Sequence, residues 1–253
     1  MSSYKRINIQ HMKTFNILAV GMVLAVLVTS CKKDVGCEKG NGKTTSEVRQ
    51  ISGFTGVEST ISANVFLEEA PNFEVKIVTD ENLLDNIKTT VSNGILRIDT
   101  QNGDCIRPQG TVNVYVKAPK FSLLSISGSG DMIGKRLSGN DLNLSISGSG
   151  DMQLDSLTFS SVEAKISGSG DIRLSAAALT GLFDANINGS GDLDAYAFPT
   201  TQVVIKISGS GNAIVYPMER LDATISGSGD IRYLGNPGVL NTTVSGSGTI
   251  KPY

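Results

Sequence analysis

Five aspartates, Asp131, Asp151, Asp171, Asp192 and Asp230, each close a copy of one short block. The block reads Ile-Ser-Gly-Ser-Gly-Asp from Ile126, Ile146, Ile166 and Ile225, and Ile-Asn-Gly-Ser-Gly-Asp from Ile187. Two further copies, from Ile207 and Val244, end in Asn212 and Thr249. Carboxylates at a fixed repeat could bind cations, present a face to a ligand, or act as acids and bases. Glycoside hydrolysis needs two carboxyl groups roughly 5 to 9.5 Å apart, whereas these acids stand singly, at most one per block, and the blocks recur every 18 to 21 residues. Stacked about 4.8 Å apart, they would repel by roughly 0.8 kcal/mol per pair even in water. Divalent cations would relieve the repulsion, but Ca2+ takes six or more oxygens and one carboxylate per repeat supplies few. The favoured expectation is that each carboxylate accepts hydrogen bonds from the Ser and Gly amides of its own block and stays exposed, with Arg173 and Arg232 as partial counter-charges. Asn212 and Thr249 at the same position mean that charge is not obligatory.

Other reactive groups are scarce. The single histidine, His11, precedes Cys31, so the chain beyond has no Ser-His or Cys-His pair and no His-ligated metal, and Trp is absent. The segment after Cys31 carries 19 basic and 24 acidic side chains, net −5, which excludes the basic face of a nucleic-acid binder. Nothing in the sequence asks for a cofactor or a metal.

Lys13 precedes an uncharged run, Phe15 to Val28, that ends in Thr29-Ser30-Cys31. Fourteen residues are short of the 20 or so that span a bilayer and match the apolar core of a signal peptide. Leu27 to Cys31 resembles a lipobox, so 1–31 is expected to be a signal peptide with Cys31 lipidated, and Met12 is an alternative start to Met1. The expected location is the outer membrane, held by lipid, facing the periplasm or the exterior. Residues 32–46, polar and Gly-rich, are expected to be a flexible tether. Cys37 and Cys105 then lie in an oxidising compartment, as a disulfide or as two free thiols.

What must position the aspartates is a β scaffold. Over 47–122 the apolar residues alternate, as in Ile61, Ala63, Val65, Leu67 and again in Val112, Val114, Val116, which predicts an N-terminal domain of antiparallel strands. Asn93-Gly94 predicts a type I′ hairpin, and Asp80 to Ile87 predicts two turns of helix with Asp80 as its cap. From 123 to 253 the 20-residue period predicts a β-solenoid of about seven coils, since a propeller blade needs roughly 40 residues. If the block is extended, Ile126 and Met132 head two apolar ladders that end at Val244 and Ile250. If it is a turn, Gly128 and Gly130 supply positive φ.

Phe54-Thr55-Gly56-Val57-Glu58, the stretch from Asp80-Glu81-Asn82-Leu83-Leu84 through Thr89, Val91 and Gly94 to Leu96-Arg97-Ile98, and the repeated block resemble the auto-transporter adhesin, head GIN domain family of Bacteroidetes lipoproteins. The resemblance runs from about Glu47 to the C-terminus. It implies an all-β fold ending in a β-helix-like repeat and a cell-envelope location, and brings no catalytic residues. The sequence thus reads as a non-enzymatic envelope lipoprotein, an adhesin or structural element that contacts the membrane through lipid and a glycan or protein on a surface. Two rivals stand beside it: a carbohydrate-active β-helix enzyme, and a module that associates into homo-oligomers.

Overall fold

The computed structural model describes residues 36–253, so the expected signal segment, Cys31 and the first residues after it lie outside the described part. Strand makes up 61% of the structure and helix 4%. The first half comprises β1 (Glu38–Lys39), β2 (Thr44–Arg49), β3 (Gly56–Ser59), β4 (Ala63–Glu69), β5 (Glu74–Asp80), β6 (Ile87–Ser92), β7 (Ile95–Thr100), β8 (Ile106–Arg107) and β9 (Val112–Ala118). The repeat comprises β10 (Leu123–Ile126), β11 (Met132–Lys135), β12 (Ser138–Ile146), β13 (Met152–Ile166), β14 (Ile172–Ala176) and β15 (Thr180–Ile187). It continues with β16 (Leu193–Ile207), β17 (Ala213–Ile225), β18 (Ile231–Tyr233), β19 (Val239–Val244) and β20 (Ile250–Pro252).

The repeat winds as a β-solenoid of about six turns with 20-residue spacing, and its seven Gly-rich corners bound those turns. Each corner joins two parallel ladders. In one, Ile126, Ile146, Ile166, Ile187, Ile207, Ile225 and Val244 stack in register. In the other the stack is Met132, Met152, Ile172, Leu193, Ala213, Ile231 and Ile250. All but the final member of each are buried. Long strands such as β13 run from the second ladder back to the first around a bulge at Ser156, whose φ is 58°, and Arg136, one coil earlier, has the same φ. Phe183 and Phe198, fully buried, meet edge to face at 5.4 Å inside the coils.

The N-terminal half has antiparallel strands, but not throughout. β6 pairs antiparallel with β7, β5 with β9, and β2 with β5. β3 and β4, however, pair parallel with β10 and β11, placing Ser59 against Ile126 and Val65 against Met132. Residues 56–69 are therefore a coil of the same solenoid, whose corner Thr60-Ile61-Ser62-Ala63-Asn64 lacks the glycines, and no structural break falls at 122. Beneath it β7 and β9 form a further rung, parallel to β3 and β4. The antiparallel strands then cover that rung and close one end of the stack. Arg49 ties this cover together, donating to the Ile87 carbonyl at 2.7 Å, the Leu84 carbonyl at 3.0 Å and the Thr89 hydroxyl at 3.0 Å.

Three local expectations change. The tether does not reach 46, because Glu38–Lys39 pair with β8 and Thr44–Arg49 with β5. The helix after Asp80 is a 3-10 helix, Glu81–Asn86, and Asp80 makes no capping hydrogen bond to it. Its carboxylate instead accepts the Gly42 amide at 2.7 Å and the Gln109 amide at 2.8 Å. The repeat glycines do not supply positive φ: glycines that do are Gly42, Gly53, Gly94, Gly103 and Gly235. Gly94 belongs to the type I′ turn between β6 and β7, with Asn93 at φ 52° and Gly94 at 75°. Cys37 and Cys105 are joined by a disulfide, which in the chain-entropy model stabilises by about 4 kcal/mol for a loop of this length.

Candidate functional site

The repeated corner is where sequence chemistry and structure meet. Its inner positions, Ile126 and Met132, are buried, while Ser127 and Ser129 and their counterparts in each coil are exposed. The glycines let successive corners lie against each other: a Cβ on Gly148 would overlap the Gly128 carbonyl oxygen, and one on Gly150 the Gly130 carbonyl oxygen.

Each aspartate then bonds to the coil above it, not to its own block as the sequence suggested. Asp131 Oδ1 accepts the Asp151 amide at 3.0 Å, Asp151 the Asp171 amide at 2.8 Å, and Asp171 the Asp192 amide at 2.7 Å. Asp192 accepts the Asn212 amide, Asn212 the Asp230 amide at 3.0 Å, and Asp230 the Thr249 amide at 2.7 Å. The geometric reason is that the aspartate amide turns away from the regular ladder at the corner, so that only a side-chain oxygen of the coil below reaches it. Only an acceptor is required, which is why Asn212 serves as well as Asp. Asn64, missed in the sequence because its corner has no Gly-Ser-Gly, begins the column by accepting the Asp131 amide at 3.3 Å. The register of β4 against β11 was the signal that could have found it.

Beside the column runs a groove of about 380 Å3, bordered by Asp131, Asp151, Asp171 and Asp192 and by the outward side chains Gln153 and Arg173. Arg173 pairs with Asp194 at 3.2 Å, an exposed pair of small energetic weight. Among the described residues no group of three or more His, Cys, Asp and Glu is arranged to hold a metal ion. Nor does any helix there have the length and apolarity to cross a membrane.

Asp230, near the end of the column, is held toward its charged form. The Thr249 hydroxyl, at 2.9 Å, and then the Thr249 amide hold its carboxyl below the ordinary value of 3.8. A depressed folded pKa gives stability that is present above pH 3.8 and is lost as pH falls through the folded value. Asp230→Asn keeps an acceptor, as Asn212 does, without the charge. Acid titrations followed by circular dichroism should therefore show a shallower loss of stability below pH 4 for this variant than for the parent chain.

These features define a class: a parallel β-solenoid, closed at one end by antiparallel strands, whose corners carry an ordered column of side-chain oxygens. Residues 53–237 match the family model described as "Putative auto-transporter adhesin, head GIN domain", and the chain belongs to that family. Among solved structures it is similar to a "putative adhesin" from Bacteroides fragilis, with a TM-score of 0.79 at 20% identity, covering 85% of this chain and 99% of that one. A "putative lipid binding protein" from Parabacteroides distasonis aligns with a TM-score of 0.70 at 23% identity, over 86% of this chain and all of the other. A "putative adhesin" from the same organism gives 0.66 at 22%, with the same coverage. Likeness at these identities shows the fold. Among curated proteins none matches.

Proposed function

We propose that this chain is a non-enzymatic, lipid-anchored protein of the cell envelope that serves in adhesion, holding a rigid solenoid out from the outer membrane toward a glycan or protein. The observation that carries the non-enzymatic part is the bonding of the aspartate column. Each carboxylate in the described column gives one oxygen to a backbone amide of the next coil, and the acids stand one per coil. Neighbouring carboxylates stack about 5 Å apart, but each has the same partner and the same setting, so none is set apart as acid from base, as a glycosidase pair must be. Family membership supports the adhesive reading and a surface location.

The anchor rests on Cys31, and the expected result is a mature N-terminus that begins with acylated Cys31. Cys31→Ala should block processing and displace the protein from the membrane, whereas Cys37→Ala should leave anchoring intact. Mass spectrometry of the N-terminus decides: an unmodified Cys31 in the membrane fraction, with the first thirty residues attached, refutes it.

Self-association is a second reading, favoured by the last coil. Val239, Leu240 and Val244 on β19 are 42%, 46% and 45% exposed, and an unpaired strand edge is a template for pairing.

A further inference from the structure

The chain enters its folded body through a compact set of bonds at residues 37–43. Cys37 is joined to Cys105. Beside the disulfide, β1 lies parallel to β8, with the Glu38 amide donating to the Cys105 carbonyl at 2.9 Å and the Gly40 amide to the Arg107 carbonyl at 2.8 Å. The Asp80 carboxylate, on a residue 4% exposed, gathers the Gly42 and Gln109 amides. Asn82 donates to the Lys39 carbonyl at 2.9 Å and accepts the Asn41 amide at 2.8 Å. Gly40 must be glycine here, since a Cβ would overlap the Asp80 carboxylate.

The disulfide and the β1–β8 bonds connect the entering chain to the loop between β7 and β9, the two strands of the covered rung, while Asp80 and Asn82 hold it to the end of β5 and the 3-10 helix. That rung is deeply packed: Ile98, Val112 and Val114 are at most 1% exposed. The next segment, β2, is held differently. It is an edge strand paired with β5 alone, and a strand pulled from one end separates one hydrogen-bonded pair at a time. Losing it would remove Arg49 and uncover β5, whose Val75 and Ile77 are fully buried. A covalent bond at Cys37 cannot be peeled in this way.

We infer that the Cys37–Cys105 disulfide, backed by the Gln109 and β1–β8 bonds, forms a clasp that carries tension from the N-terminal side directly into the loop between β7 and β9, bypassing β2. This rests on the anchored-adhesin reading, in which the chain is pulled between its lipid and whatever its solenoid grips. The clasp then keeps the closed end of the solenoid covered under load.

Single-molecule force spectroscopy on the full chain in detergent, pulled between its two termini, tests the clasp. Edge strands β19 and β20 peel from the C-terminal side with or without the disulfide, but the oxidised protein should show no low-force step from the N-terminal side, and its full extension should fall short by the 68-residue separation of the cysteines, about 240 Å. In the Cys37→Ser/Cys105→Ser variant, an additional low-force step of about 45 Å should be present, as residues 37–49 leave the sheet. Folded parent protein treated with dithiothreitol is the second preparation, since Cys105 is exposed, and it should behave like the variant. Traces in which removing the disulfide restores the missing length without adding the low-force step of about 45 Å would overturn the clasp. An unlipidated Cys31 would refute the anchor and leave these traces as they are.

Discussion

Gly168→Ala is expected to lower stability by about 4 kcal/mol or more. A Cβ at Gly168 would overlap the Gly148 carbonyl oxygen and come within 2.9 Å of the Gly148 carbonyl carbon and 3.0 Å of that of Ser147. All three atoms are backbone, so no side chain can rotate away. The coils must move apart instead, and the ladder bonds on both sides stretch with them. Because each coil of a solenoid contacts only its neighbours, the damage separates the earlier coils from the later ones. Gly110→Ala is the matched control, with no heavy atom within 4 Å of its Cβ and no positive φ, and it should change stability by less than about 0.5 kcal/mol. Urea unfolding followed by circular dichroism compares the two, and a Gly168→Ala chain with the parent midpoint would refute close stacking at the corner.

The sequence carried the solenoid because its period is written in residues that the fold cannot replace: buried Ile and Met ladders, and glycines where backbones meet. It concealed the coil at residues 56–69 for the converse reason. There the corner is Thr60-Ile61-Ser62-Ala63-Asn64, and Ala63 is already part of β4, paired with Val112 of β9 and not with another Gly-Ser-Gly corner. Alternation alone marked these residues as strands, and alternation is the same in parallel and antiparallel sheets. Pairing partners are non-local, so β3 reads as a neighbour of β4 although its neighbours in the sheet are β7 and β10. The mistaken cap at Asp80 has the same origin. An aspartate before a polar first turn is a local signal, but the amides it serves belong to Gly42 and Gln109, at separations of 38 and 29 residues.

The aspartate column was legible as a column and not as a bonding pattern. Like charges stacked near 5 Å demand an explanation, and sequence alone favours local amides over cations. The register supplies a third answer, since Asp171 sits directly under the Asp192 amide at 2.7 Å. The amide offsets part of the repulsion by placing an N–H dipole between successive carboxylates. Thr249 closes the series consistently: its amide and hydroxyl both donate to Asp230, and it has no coil above it to serve among the described residues.

Residues that are equivalent in the motif are not equivalent in energy, and the ladder of the first sheet makes the difference measurable. Ile187 is 1% exposed and stacks between Ile166 and Ile207, with the Phe183–Phe198 pair in the same coils. Ile187→Ala leaves a cavity lined by side chains fixed on both sides and should lose about 3 to 4 kcal/mol. Val244 holds the same place in the last described coil, yet it is 45% exposed because only Ile225 lies against it in the ladder. Val244→Ala should lose less than about 1 kcal/mol. Denaturant unfolding at low protein concentration gives both values. A loss at Val244 equal to that at Ile187 would mean that the final coil is covered in solution, and its dependence on protein concentration would identify a second copy of the chain as the cover.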